Sequence, residues 1–68
     1  MVFRTEELVQ REIEIGGYLI KEVSMNQISE KTGLSKKTIS AHLRNMMKKL
    51  NAHDTAGLVT IMKNKNLY

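Results

Sequence analysis

The 68-residue chain contains no cysteine, no proline and no tryptophan, and only Phe3, Tyr18 and Tyr68 are aromatic. Without cysteine there is neither a disulfide framework nor a thiolate metal site, which fits a reducing cytoplasm. Short alternating runs of β-branched residues are missing as well, so an all-α fold is expected. No apolar run approaches the ~20 residues that a bilayer-spanning helix requires, and no membrane association is expected. The N-terminal stretch MVFRTEELVQRE carries acids early and lacks an apolar h-region, so it does not have the form of a signal peptide. His42 and His53 have no carboxylate or cysteine at ligand spacing. No nucleophile–base pair, glycine-rich phosphate loop or paired-carboxylate motif occurs either. Neither a metal, a cofactor nor an enzymatic activity is expected.

One further absence is local. Eleven Lys and Arg stand against seven Asp and Glu, giving a net charge of +4. Five of the acids (Glu6, Glu7, Glu12, Glu14, Glu22) precede residue 23, whereas Lys31 to Leu50 hold six basic residues and no acid. A basic block that follows an acidic one has the form of a surface facing a polyanion. A chain of this length holds one domain, taken as residues 1–68 with a core at about 8–60. Such a domain buries only roughly 60% of its unfolded surface, so a second copy would add to its stability.

Apolar spacing places four helices. The first covers about Val9 to Lys21: Leu8, Ile15 and Leu19 share one side, and Val9, Ile13, Gly16 and Ile20 form an adjoining stripe. Gly16 within that stripe fits close approach of another helix; Gly17 has no such explanation. The second helix runs from about Met25 to Lys31. Ser24 is its N-cap, Gln27 follows as in a capping box, Met25 and Ile28 face inward, and Thr32-Gly33 ends it. The third begins after Ser35, with Ile39, Leu43, Met46 and Leu50 as core stripe, Lys37, Ala41, Arg44 and Lys48 on another side, and Asn51 at its end. The fourth begins near Asp54, carries Leu58, Val59, Ile61 and Met62, and gives way to KNKNLY. Met46 belongs to the core; Met47 and Met62 fit either core or dimer surface.

A short helix, a tight turn at Gly33 and a longer helix with a basic outer side make a helix-turn-helix, in which the second helix enters the major groove. The strings REIEI (11–15), SMNQIS (24–29), LSKKTISAHLRNMMKKL (34–50) and NAHDTAGLV (51–59) resemble the LuxR/FixJ-type, GerE-like DNA-binding domain of bacterial transcription regulators. Ser35, Lys37, Thr38, Ile39, His42 and Asn45 carry the likeness in order and spacing, and it covers about residues 8–60. The resemblance implies a four-helix fold with helices 2 and 3 as the reading unit, and a dimer on double-stranded DNA. It assigns base contacts to Ser40, Ala41 and Arg44. Backbone contacts fall to Ser35, Lys36, Lys37, Thr38, His42 and Lys48; at the start of the second helix Met25 and Asn26 replace the usual Asn-Lys pair, so a Lys contact is lost there and Asn26 is expected to donate in its place. The dimer interface falls to the fourth helix at Val59, Met62 and Lys63.

Several positions depart from the family pattern. Val9 replaces a capping Thr or Ser, Glu22 and Asn51 replace helix-ending glycines, and Gly16 and Ile20 exchange large for small. Thr55 replaces an Arg that pairs with a first-helix Glu, which leaves Glu12 or Glu14 expected to lack its partner.

Each assignment has a plainer alternative. Arg44 can bond guanine O6 and N7 together, or contact a phosphate, or face solvent. The lysines, Lys49 included, act through counterion release unless simply solvated. The reading that results is a sequence-specific DNA binder that regulates transcription through residues 36–50, as a homodimer or as a heterodimer with a related regulator. The rival is a protein-interaction module that pairs with another regulator or with RNA polymerase and does not bind DNA itself.

Overall fold

The computed structural model describes residues 9–66, which form four α-helices: α1 Gln10–Ile20, α2 Met25–Thr32, α3 Lys36–Leu50 and α4 Thr55–Lys65. No strand occurs among the described residues. The all-α expectation holds, and α2 and α3 with their short turn are the helix-turn-helix. α3 is the centre of the packing: α1, α2 and α4 all lie against it, and α1 also packs on α4.

Local chemistry sets the helix starts. Ser24, Ser35 and Asp54 each have extended backbone, and each accepts a bond from the N–H three residues on, at Gln27, Thr38 and Gly57. These bonds satisfy donors that the first turn of a helix leaves without partners. α1 differs. Its N-cap is Val9, which has no side-chain acceptor, and the terminus is closed instead by Glu12, whose Oε1 accepts from the Val9 N–H at 3.2 Å.

The helix ends use the left-handed backbone region. Gly33 has φ 75°, where glycine carries no Cβ penalty. Glu22 and Asn51, which stand where the family places glycines, nevertheless take φ 62° and 61°. The turn geometry is therefore kept without the residue that makes it cheap.

The core draws on every helix: Ile15 from α1, Ile28 from α2, Ile39, Leu43, Met46 and Leu50 from α3, and Leu58 and Met62 from α4. The α3 stripe anticipated from spacing is the buried face of that helix. Gly16 is buried where α1 crosses α4. A Cβ built there would run into the Met62 side chain and come within 3.3 Å of Met46 Cε, so close approach accounts for this glycine. Nothing lies within 4 Å of the equivalent position at Gly17.

Two expectations need correction. The fourth helix does not give way at KNKNLY. It continues through Lys65 and stops at Asn66, whose φ of 56° ends it; Leu67 and Tyr68 lie outside the described residues. Met62, assigned to a dimer surface, is fully buried against Gly16 and belongs to the protomer's own core, so it is not available to a second copy. Val59 is half-buried and Lys63 exposed on the same helix.

Candidate nucleic-acid interface

The turn between α2 and α3 is held by side chains. The Ser29 hydroxyl donates to the Leu34 carbonyl at 2.6 Å, and the Thr32 hydroxyl donates to the Ile28 carbonyl at 2.7 Å. Thr32 Oγ1 also accepts from the Leu34 N–H at 3.2 Å. From outside the unit, Arg11 of α1 reaches the Thr32 carbonyl at 3.4 Å, a cation at the negative end of α2. α3 therefore leaves the turn at an angle fixed by bonds on both sides of Gly33.

At the start of α3 the Ser35 hydroxyl accepts from the Thr38 N–H at 3.1 Å and donates to Thr38 Oγ1 at 3.0 Å. Both residues are exposed with Lys36 and Lys37 on the same first turns, and Asn26 is exposed on the first turn of α2. Further along α3, Arg44 and Lys48 are exposed, while the small Ser40 and Ala41 are half-buried. Among the described residues, none of Lys36, Lys37, Arg44 and Lys48 is paired with a carboxylate. The outer side of α3 is thus a cationic strip with a shallow, small-residue centre, opposite a face that is entirely core.

The carboxylates of α1 are not where the family comparison leaves them. Glu12, one of the two glutamates of which one was expected to lack its partner because Thr55 replaces an Arg, is 3% exposed and well satisfied. Lys49 of α3 donates to its Oε1 at 2.9 Å, and Nδ1 of His42 stands 4.0 Å from its Oε2. The missing charge is supplied by α3 in place of α4. Glu14 pairs with Arg11 on its own helix at 3.3 Å.

Lys49 is consequently committed inward and leaves the set of cations free for a polyanion. His42, 26% exposed, sits at the edge of the strip with one ring nitrogen turned toward the core carboxylate. The spacing carried a signal for this cluster. Glu12 continues the Leu8, Ile15, Leu19 stripe, and His42 and Lys49 are seven residues apart on one side of α3.

Among the described residues no helix is long and apolar enough to cross a membrane, and no group of His, Cys, Asp and Glu could hold a metal.

The family model described as bacterial regulatory proteins, luxR family, matches residues 6–62. The chain is 38% identical over 60 residues to the Fimbriae Z protein of Salmonella typhimurium, covering 88% of this chain and 29% of that one. It is 39% identical over 56 residues to the Fimbriae Z protein of Escherichia coli, covering 82% and 27%. The chain thus spans less than a third of the length of these curated relatives. No solved structure matches it. The family match begins before α1 and ends within α4, so it takes in both helices of the turn unit, and the chain belongs to the luxR family of bacterial regulatory proteins, a helix-turn-helix class that binds DNA and regulates transcription.

Proposed function

We propose that this chain binds double-stranded DNA sequence-specifically, with α3 in the major groove. The observation that carries the reading is the outer side of α3, where exposed Lys36, Lys37, Arg44 and Lys48 have no carboxylate partner among the described residues. Ser40 and Ala41 lie between them and are small enough for the helix to approach the base edges. Arg44 bonds a guanine through O6 and N7, and Ala41 meets a thymine methyl. Lys36, Lys37 and Lys48 neutralise phosphates, joined by the hydroxyls of Ser35 and Thr38, by Asn26 and by His42. Binding is as a dimer on two half-sites, with Val59 and Lys63 of α4 toward the second copy. Residues 1–68 act as one domain, in the cytoplasm where its DNA is.

The test separates base reading from phosphate binding. Arg44→Ala weakens binding to a selected site by an amount equivalent to about 1–3 kcal/mol and leaves random duplex nearly unaffected. Lys37→Ala weakens both alike and flattens the slope of log K against log salt by ~0.9. Equal losses on both duplexes for both variants would remove the assigned roles. A protein complex with another regulator or with RNA polymerase that survives loss of both side chains, in a chain without DNA affinity, would favour the interaction-module reading.

A further inference from the structure

One side of α1 is left open by the other helices. The helical repeat puts Gly17 on the midline of that side, Ile13 and Ile20 on one flank, and Gln10, Glu14 and Lys21 on the other. A Cβ built at Gly17 meets no neighbouring side chain or helix within 4 Å. A surface hollow lies beside it, lined by Gln10, Ile13 and Glu14. Residues 10, 13, 14 and 17 have the spacing of the four residues that form a hole for a knob from a facing helix. Val9, 51% exposed and the one exposed large apolar side chain among the described residues, extends the apolar flank. Lys21 stays in register because its N–H bonds the Gly17 carbonyl at 3.2 Å. Its side chain is exposed and has no acid partner among the described residues. Glu14 has only Arg11 of its own helix, an exposed pair of little strength.

We propose that this side of α1 docks on the α1 of a second copy, crossing it antiparallel with Gly17 against Gly17. A two-fold axis through that point keeps each flank on its own side and reverses position along the helix. Glu14, three residues before Gly17, then meets Lys21 of the second copy, four residues after it, with an offset of about 1.5 Å along the axis. On the other flank Ile13 meets Ile20 of the second copy in the same way, and symmetry repeats both pairs. A parallel pairing would set Glu14 on Ile13 and Lys21 on Ile20, placing charge against apolar side chains. The glycine on the midline lets the two backbones approach closely.

The contact is small. Three turns of helix bury less than the ~1,200–2,000 Å² of a stable complex, so it is weak between free copies. It acts where copies are already neighbours. Side by side on DNA they meet at an effective concentration on the order of millimolar. α4 is proposed to face the second copy on one pair of half-sites; α1, a different helix, joins one such dimer to the next and makes binding to adjacent sites cooperative. The contact itself stands apart from DNA binding, and its use on adjacent sites rests on the proposed DNA-binding reading.

Sedimentation equilibrium of the full chain without DNA, up to about 1 mM protein at about 0.05 M salt, reads the contact directly. The wild-type mass rises reversibly with concentration. Glu14→Lys and Lys21→Glu each weaken association roughly tenfold, because symmetry turns both attractive pairs into repulsive ones. The double variant Glu14→Lys/Lys21→Glu restores it. Gly17→Glu, folded by circular dichroism, abolishes it. Because the chain has no cysteine, Gly17→Cys gives a second reading: on oxidation it forms a linked dimer faster than Glu30→Cys, which is exposed on α2.

Association that the single charge reversals leave unaltered assigns self-association to another face and overturns the proposal. A double variant no better than the singles, or equal linking by the two cysteines, does the same. So does a single-chain mass at every concentration, whether residues 1–8 or another protein covers this side of α1. The DNA reading fails separately: a chain that associates through α1 and does not bind duplex DNA keeps the contact and loses only its use on adjacent sites.

Discussion

At the residue scale, four backbone positions make separable predictions. Glu22 ends α1 with φ 62°, and the turn it forms bonds the Val23 N–H to the Tyr18 carbonyl at 3.0 Å. A side chain in this region costs about 1–2 kcal/mol that glycine does not incur. Glu22→Gly therefore raises stability by ~0.5–1 kcal/mol in thermal or urea unfolding, net of the entropy glycine adds to the unfolded chain. Asn51→Gly gains less, because asparagine tolerates the same conformation. The two glycines of α1 divide sharply. Gly16→Ala forces a methyl into the Met62 side chain at the α1–α4 crossing and lowers stability by about 1–3 kcal/mol. Gly17→Ala meets nothing and raises stability by up to ~1 kcal/mol. Opposite signs at adjacent positions are the diagnostic; equal effects would mean that the crossing is not as close as described.

At the element scale, the starts of the helices were legible and some of their ends and cross-links were not. Ser24, Ser35 and Asp54 could be placed as caps from sequence because each bond spans three residues, so the donor and acceptor are written side by side. The end of α4 could not: Lys63, Asn64 and Lys65 carry no apolar period, yet the helix continues until Asn66 turns left-handed. The bracing of α1 against α3 was also hidden. A lost Arg at position 55 pointed to an orphaned glutamate, but the substitute cation is 37 residues from Glu12 in sequence. Only the third dimension joins them.

The Lys48-Lys49 pair tests that bracing. Lys49→Met leaves Glu12 buried without its main partner and costs about 1–3 kcal/mol. Lys48→Met, on the exposed side, changes stability by less than ~0.5 kcal/mol and instead weakens DNA binding. Ser35→Ala removes the cap of α3 and costs ~1 kcal/mol, seen as fraying of the first turn by hydrogen exchange at Thr38.

At the scale of the whole molecule, one helix serves two purposes. The side of α3 that carries Ile39, Leu43, Met46 and Leu50 joins the other three helices, and the opposite side carries the unpaired cations. This division was visible in the sequence as two interleaved spacings. Which cations were available was not: Lys49 looks equivalent to Lys48 until Glu12 is placed beneath it. Met62 likewise suited a dimer surface by its position on α4 and proved to be core, because Gly16 leaves room for it. The most direct measurement is selection from a pool of random duplex DNA at near-physiological salt, followed by sequencing and sizing of the bound complex. The account predicts enrichment of a two-fold symmetric site occupied by two copies of the chain, with enrichment lost in Arg44→Ala. An unenriched pool, with affinity that collapses as salt rises, would contradict it and leave only charge attraction between α3 and any polyanion.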